Sequence, residues 1–145
     1  MKITEEILKK LLVSSEIISQ KDFDLAKKEA KEKNISLQEA LIQKGLILDE
    51  ELGELIADEI GFPFINLRKI KIKREVLEIV PEVVAKKQKI IVFGKDREGL
   101  KVAFSQPENL EIREFIERKT GEKVIPYYAT ERDINSALKY SKNCK

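Results

Sequence analysis

Apolar residues recur at helical spacing from the start of the chain to Ile60, and in a mixed pattern of runs and alternations beyond it. Ile7, Leu8, Leu11 and Leu12 lie three and four apart, which predicts an amphipathic helix with one buried face. Thr4 precedes it as an N-cap, with Glu5 and Glu6 in the first turn, where the helix dipole favours negative charge. The pattern breaks at Ser14-Ser15-Glu16. Ser19 then caps a second helix over about 20–33, answered by Asp22 and burying Phe23, Ala26 and Ala30. Asn34 suits the left-handed residue that ends it. Ser36 caps a third helix with Leu37, Ala40 and Leu41 inside, and Gly45 terminates that one. Asp49-Glu50-Glu51 opens a fourth, whose stripe is Leu52, Leu55, Ile56 and Ile60.

These four helices are two copies of one unit. A shift of 29 residues sets Leu8 on Leu37, Leu12 on Leu41, Ile17-Ile18 on Leu46-Ile47, Phe23 on Leu52 and Ala26 on Leu55. One copy cannot bury its apolar face alone, so the pair is expected to pack as a four-helix unit.

Beyond Gly61 the spacing changes. Phe64 to Leu67 reads as a short strand opened by Pro63. Short helices follow over Glu75–Val80 and from Pro81 to Gln88. Ile90–Phe93 and Leu100–Ser105 form a hairpin about Asp96-Arg97-Glu98-Gly99. Asn109 caps a helix with Ile112, Phe115 and Ile116 inside and Gly121 past its end. Lys123 to Tyr128 is a last strand, with Tyr127 and Tyr128 on opposite faces. Thr130 to Asp133 is a capping box for a final helix that buries Ile134, Ala137 and Leu138. The stretch from Ser141 is read as a frayed tail. The expected fold is therefore α+β: a helical repeat over 1–60, a small ferredoxin-like (split βαβ) domain over 61–142, and a tail of 143–145.

Composition narrows the chemistry. In 145 residues there is no His and no Trp, and the single Cys lies at position 144. Without His the commonest general base and metal ligand are missing, and one thiol makes neither an internal disulfide nor a multi-cysteine zinc site. The six glycines are scattered, so no P-loop and no G-x-G-x-x-G is present. Carboxylates at Asp49-Glu50-Glu51 and Asp58-Glu59 lie at helical spacing, without the turned loop that gathers oxygen ligands round a hard cation. No catalytic, cofactor-binding or metal-binding residues are assigned, and no cofactor is expected. No apolar run is long enough for a membrane span, and no signal-peptide core follows Met1-Lys2, so a cytoplasmic location is expected.

The net charge of +2 conceals an asymmetry, since residues 1–58 carry 9 Lys against 13 Asp plus Glu. Between Arg68 and Lys89 there are eight Lys plus Arg against three Glu. This basic stretch is open to three readings: a solvated face, a protein-docking patch, or a nucleic-acid or lipid contact. It lacks the exposed aromatics used for stacking on single strands, so nucleic acid is not expected. Arg68, Lys69, Lys71, Lys73 and Arg74 are the candidate docking residues, with Glu51 and Glu54 on the acidic fourth helix as the other candidate surface.

Several landmarks in order resemble the N-terminal (MshE-type) domain of type II secretion and type IV pilus assembly ATPases. They are the helical repeat ending in Gly45-Leu46-Ile47, the run Ile60-Gly61-Phe62-Pro63-Phe64-Ile65-Asn66-Leu67, Val80-Pro81-Glu82 with Ala85, Leu100 to Phe104 leading to Pro107, Thr120-Gly121, and Ala129-Thr130-Glu131. The resemblance covers about Ile7 to Tyr140. It implies a non-catalytic module in the cytoplasm, peripheral to the inner membrane. Its implied partners are the cytoplasmic part of an inner-membrane platform protein and an ATPase motor core, in cis or in trans. Some members of that family bind cyclic di-GMP through a repeated motif with an opening Arg-Leu-Gly, a turn Gly and a closing Gln. Here the openings are Ile7-Leu8-Lys9 and Ser36-Leu37-Gln38, the turn positions are Glu16 and Gly45, and the closing positions are Ala30 and Glu59. The arginines that would meet phosphate or guanine are gone, so cyclic di-GMP binding is not expected. A cyclic di-GMP sensor on the same fold, and a free-standing basic nucleic-acid-binding domain, are the alternative readings.

Overall fold

The computed structural model describes residues 3–143, with side chains to residue 139, and Cys144 lies outside the described residues. The chain forms two compact units that part between Ile60 and Gly61.

The first unit is helical, with α1 (Glu5–Leu12), α2 (Gln20–Lys33), α3 (Leu37–Gln43) and α4 (Asp49–Ile60). The expected caps are in place. The side-chain oxygens of Thr4, Ser19 and Ser36 accept from the backbone N–H groups of Ile7, Asp22 and Glu39 at 3.3, 3.1 and 3.0 Å. Each satisfies a donor that the first helical turn leaves unpaired. Asn34 ends α2 in the left-handed conformation. α1 packs with α4 and α2 with α3, around Leu12, Phe23, Leu41, Leu52 and Ile56, all at most 1% exposed. Full burial of each such side chain is worth about 1.5–3 kcal/mol, which is why the repeat keeps these positions apolar.

The two copies share backbone as well as core. Glu16 (φ 60°) and Gly45 (φ 73°), 29 positions apart, both adopt the left-handed conformation. In the first copy Glu16 N–H donates to Val13 O at 3.0 Å and Ile17 N–H to Leu12 O at 2.9 Å. In the second, Gly45 N–H donates to Ile42 O at 3.0 Å and Leu46 N–H to Leu41 O at 3.1 Å. Both are Schellman turns, in which a left-handed residue lets the chain reverse over the last helical carbonyls.

The second unit contains a 3-10 turn (Leu67–Lys69), α5 (Arg74–Leu77), α6 (Glu82–Gln88), β1 (Ile90–Asp96), β2 (Gly99–Phe104), α7 (Leu110–Thr120), β3 (Val124–Tyr128) and α8 (Glu131–Asn143). The α+β class stands. Within it the sheet has the order β1-β2-β3, antiparallel between β1 and β2 and parallel between β2 and β3. The strands joined through α7 are thus adjacent, and the βαβ unit is not split.

The strand expected over Phe64–Leu67 is reduced to one parallel bridge between Phe64 and Tyr128. Ile65 N–H donates to Tyr128 O at 3.0 Å and Tyr128 N–H to Pro63 O at 2.8 Å. The ladder then stops for a physical reason. Leu67 N–H is taken by the Asp133 carboxylate at 2.7 Å, and Arg68 N–H by the Asn66 side chain at 3.0 Å, which turns the chain.

Three smaller differences concern element ends and one buried position. α5 stops at Leu77 where a helix to Val80 was expected, and α8 continues to Asn143, past Ser141. Phe115, expected inside, is 37% exposed and lies under the Lys119 ammonium at 5.9 Å, while Ile116 takes the buried position. Tyr128 is fully buried, and Tyr127 meets Phe93 edge-on at 5.1 Å. The core joins the sheet residues Ile90, Val102 and Phe104 to Ile116 of α7 and to Ile134 and Leu138 of α8.

A basic groove as candidate functional site

The segment after the 3-10 turn runs extended to α5 and lies along α8. Ile70, Ile72 and Leu77 pack against the core and supply an apolar floor, joined by Ala137 of α8. Arg68, Lys71, Lys73 and Arg74 line the same groove, which encloses about 760 Å³. Of the predicted docking residues, four are therefore brought to one concavity. Lys69 is exposed beside it but does not line it. Glu51 and Glu54 are exposed on α4 of the first unit.

The cations around the groove are not equivalent. Arg74 Nε meets Glu78 at 2.9 Å across one helical turn, and Lys86 meets Glu82 at 3.4 Å. Lys89 reaches Glu131 at 3.6 Å and Asn135 at 3.4 Å. Arg68 Nε lies 3.4 Å from Asp133. Among the described residues, the side chains of Lys71 and Lys73 are exposed and have no hydrogen bond or ion pair. Part of the basic stretch read from the sequence is thus paired locally, while among the described residues Lys71 and Lys73 at the groove, and Lys87 on α6, keep exposed side chains without an ion pair.

Asp133 is the residue that sequence reasoning undervalued. The sequence marks it as the closing residue of a capping box, and its N–H does donate to Thr130 Oγ1 at 3.1 Å. Its carboxylate is also 3% exposed and holds Leu67 N–H and the Arg68 guanidinium, so one buried anion pins the start of the basic segment to α8. Charge-assisted bonds of this kind are about twice as strong as neutral ones. The partners are 66 residues apart in sequence. Only an Asp at the buried side of a helix start could have hinted at the link.

The positions compared above with the cyclic di-GMP motif lie in the first unit. Leu8, Leu12 and Leu41 are buried, so their retention follows from packing. Lys9 is exposed, Gln38 is half-buried, and Glu59 pairs with Lys10 at 3.1 Å. What persists is the backbone of the turns at Glu16 and Gly45. Among the described residues no helix is long and apolar enough to cross a membrane.

A duplicated helical unit is followed in sequence by a mixed three-stranded α+β unit that carries a basic, apolar-floored groove. The chain belongs to the MshEN domain family, whose profile matches residues 60–142. It is 30% identical over 129 residues to the type IV pilus assembly ATPase PilB of Thermus thermophilus, a match covering 88% of this chain and 14% of that protein. With PilB of Myxococcus xanthus it shares 26% over 131 residues, 90% of this chain and 23% of the relative. The chain thus spans a minor part of the curated relatives' length. Among solved structures, that of MshE with cdg is similar with a TM-score of 0.65 at 23% identity, over 92% of this chain and 97% of that one. The N-terminal domain of XpsE follows at 0.61 and 16% identity, over 96% of each. At such identities these two likenesses speak for the fold. The resemblance read from the landmarks around Ile60–Leu67 is thereby established.

Proposed function

We propose that this module is a non-catalytic docking and regulatory domain of a type II secretion or type IV pilus assembly ATPase. It engages the cytoplasmic part of an inner-membrane platform protein, and so works in the cytoplasm, peripheral to that membrane, beside a motor core in cis or in trans. The observation that carries the reading is the basic groove, with Lys71 and Lys73 exposed over an apolar floor. A partner with acidic groups around an apolar ridge fits it, since charge complementarity sets encounter rate and register while apolar burial supplies affinity. The kinship with PilB supplies the motor context.

Titration of the chain against the cytoplasmic domain of a platform protein tests this reading. The double variant Lys71→Glu/Lys73→Glu is expected to weaken binding by about tenfold or more, and the affinity of the unaltered chain is expected to fall with salt. Glu51→Lys/Glu54→Lys is expected to leave it unchanged. Salt-insensitive binding, or loss with the α4 variant alone, refutes docking through the groove.

A second reading, a cyclic di-GMP sensor, draws on MshE with cdg and on the preserved turns at Glu16 and Gly45. The positions that would bring arginine to the ligand hold Ile7 and Ser36. Calorimetry with cyclic di-GMP decides it, and micromolar or tighter binding would favour this reading.

A further inference from the structure

We infer that Ile70–Ile72 is an open strand edge that takes up an extended acidic peptide as an added β-strand, its carboxylates on Lys71 and Lys73. This narrows the docking reading and rests on it. The backbone dihedrals are extended at Ile70 (φ −124°, ψ 155°), where the chain bends out of the 3-10 turn, and at Lys73 (φ −67°, ψ 139°), and no turn or helix is formed at Lys71 and Ile72 between them. Among the described residues, the backbone N–H and C=O groups of Ile70, Lys71 and Ile72 make no hydrogen bond. A few residues earlier the same chain does pair, through Pro63 and Ile65 with Tyr128. The segment is thus strand-shaped with its ladder unfilled, which is the template that peptide-binding sheet edges present.

The side chains fix the kind of peptide. Ile70 and Ile72 pack on the core while Lys71 between them is exposed, so the alternation of a strand is already present. A peptide alternating apolar and acidic residues would lay its apolar side chains over Leu77 and Ala137 and bring its carboxylates to the lysines. An anionic lipid headgroup could meet the same charges. It would leave the unfilled row of backbone donors and acceptors unanswered, and that row favours the peptide.

The test uses the full chain and the synthetic heptapeptide Glu-Val-Glu-Val-Glu-Val-Glu, followed by calorimetry and by amide exchange. Binding is expected with exchange slowed by about tenfold or more at the alternate amides that face the peptide, either Ile70 and Ile72 or Lys71, because successive residues of a strand pair on opposite edges. Backbone N-methylation of the peptide on its pairing edge is expected to weaken binding by at least about tenfold, because it removes donors and keeps charge. Lys71→Glu/Lys73→Glu is expected to abolish binding, and Glu51→Lys/Glu54→Lys to leave it intact. Equal affinity for the N-methylated peptide overturns strand addition. So does failure of the peptide while phosphatidylglycerol vesicles bind. If the peptide fails but the platform domain still binds in a salt- and lysine-dependent way, strand addition falls and the docking reading stands. If the peptide binds and the platform domain does not, strand addition stands and the docking reading falls.

Discussion

The two turns of the helical repeat provide an internal experiment on backbone strain. Glu16 and Gly45 occupy equivalent positions, both left-handed, but only one is glycine. A side chain in that conformation costs roughly 1–2 kcal/mol through contact of Cβ with the following carbonyl. Glycine avoids this cost but carries about 0.5–1 kcal/mol of extra freedom in the unfolded chain. The Glu16 side chain is exposed and, among the described residues, has no hydrogen bond or ion pair, so its removal sacrifices no contact. Glu16→Gly is therefore expected to stabilise the first unit by about 0.5–1 kcal/mol. Gly45→Ala is expected to destabilise by a similar amount. A Cβ at Gly45 would meet nothing within 4 Å, so the loss is purely conformational. The assay is native-state amide exchange at Ile17 and Leu46, whose N–H groups close the two turns, supported by urea unfolding. A change of about 1 kcal/mol alters the exchange rate by about fivefold, well within its range. If Glu16→Gly destabilises, or Gly45→Ala proves neutral, the left-handed conformation is not what these turns are working against.

Three further outcomes follow from the second unit. Asp133→Ala removes the acceptor of Leu67 N–H and the partner of Arg68, and is expected to cost about 2–3 kcal/mol in chemical unfolding, whereas Asp133→Asn, which can still accept, is expected to cost less. Gly99→Ala is expected to lower stability by about 2–4 kcal/mol by thermal unfolding, because its Cβ would collide with the Lys123 carbonyl, the acceptor of Leu100 N–H, at a backbone φ of 142°. At the hairpin turn, the Glu98 N–H foremost, and the Lys101 ammonium with it, hold the Asp96 carboxyl below its usual value. Because the folded value is the lower one, its contribution is complete above the unfolded pKa of about 3.9 and fades as pH falls through the folded value. The stability gap between the unaltered chain and Asp96→Ala, followed by urea unfolding from about pH 6 to about pH 3, is therefore expected to narrow only at the acid end.

Features set within a few residues were legible from the sequence. The caps at Thr4, Ser19, Ser36 and Asn109 follow from a short polar side chain placed ahead of an apolar stripe. The left-handed ends at Asn34 and Gly121 follow from residue type. Lys89, left-handed at φ 56° after α6, carried no such signal. The basic stretch was visible as composition, but its division into paired and available cations was not. Glu131 and Asp133, which answer Lys89 and Arg68, lie more than forty residues downstream. The strand expected over Phe64–Leu67 has the right composition for one. It was undone by Asp133, which takes the N–H that would have extended the ladder.

The contact of Pro63 and Ile65 with Tyr128 bears on where this chain can be divided. β3 is the last strand of its sheet, and this short stretch pairs with the outer side of its final residue, Tyr128. A fragment beginning at Leu67 would retain every strand and helix of the second unit yet leave that flank bare, inviting a second copy to pair there. A fragment beginning at Gly61 carries its own cover. Six residues without regular helix or strand therefore decide whether the end of β3 finds a partner within its own chain.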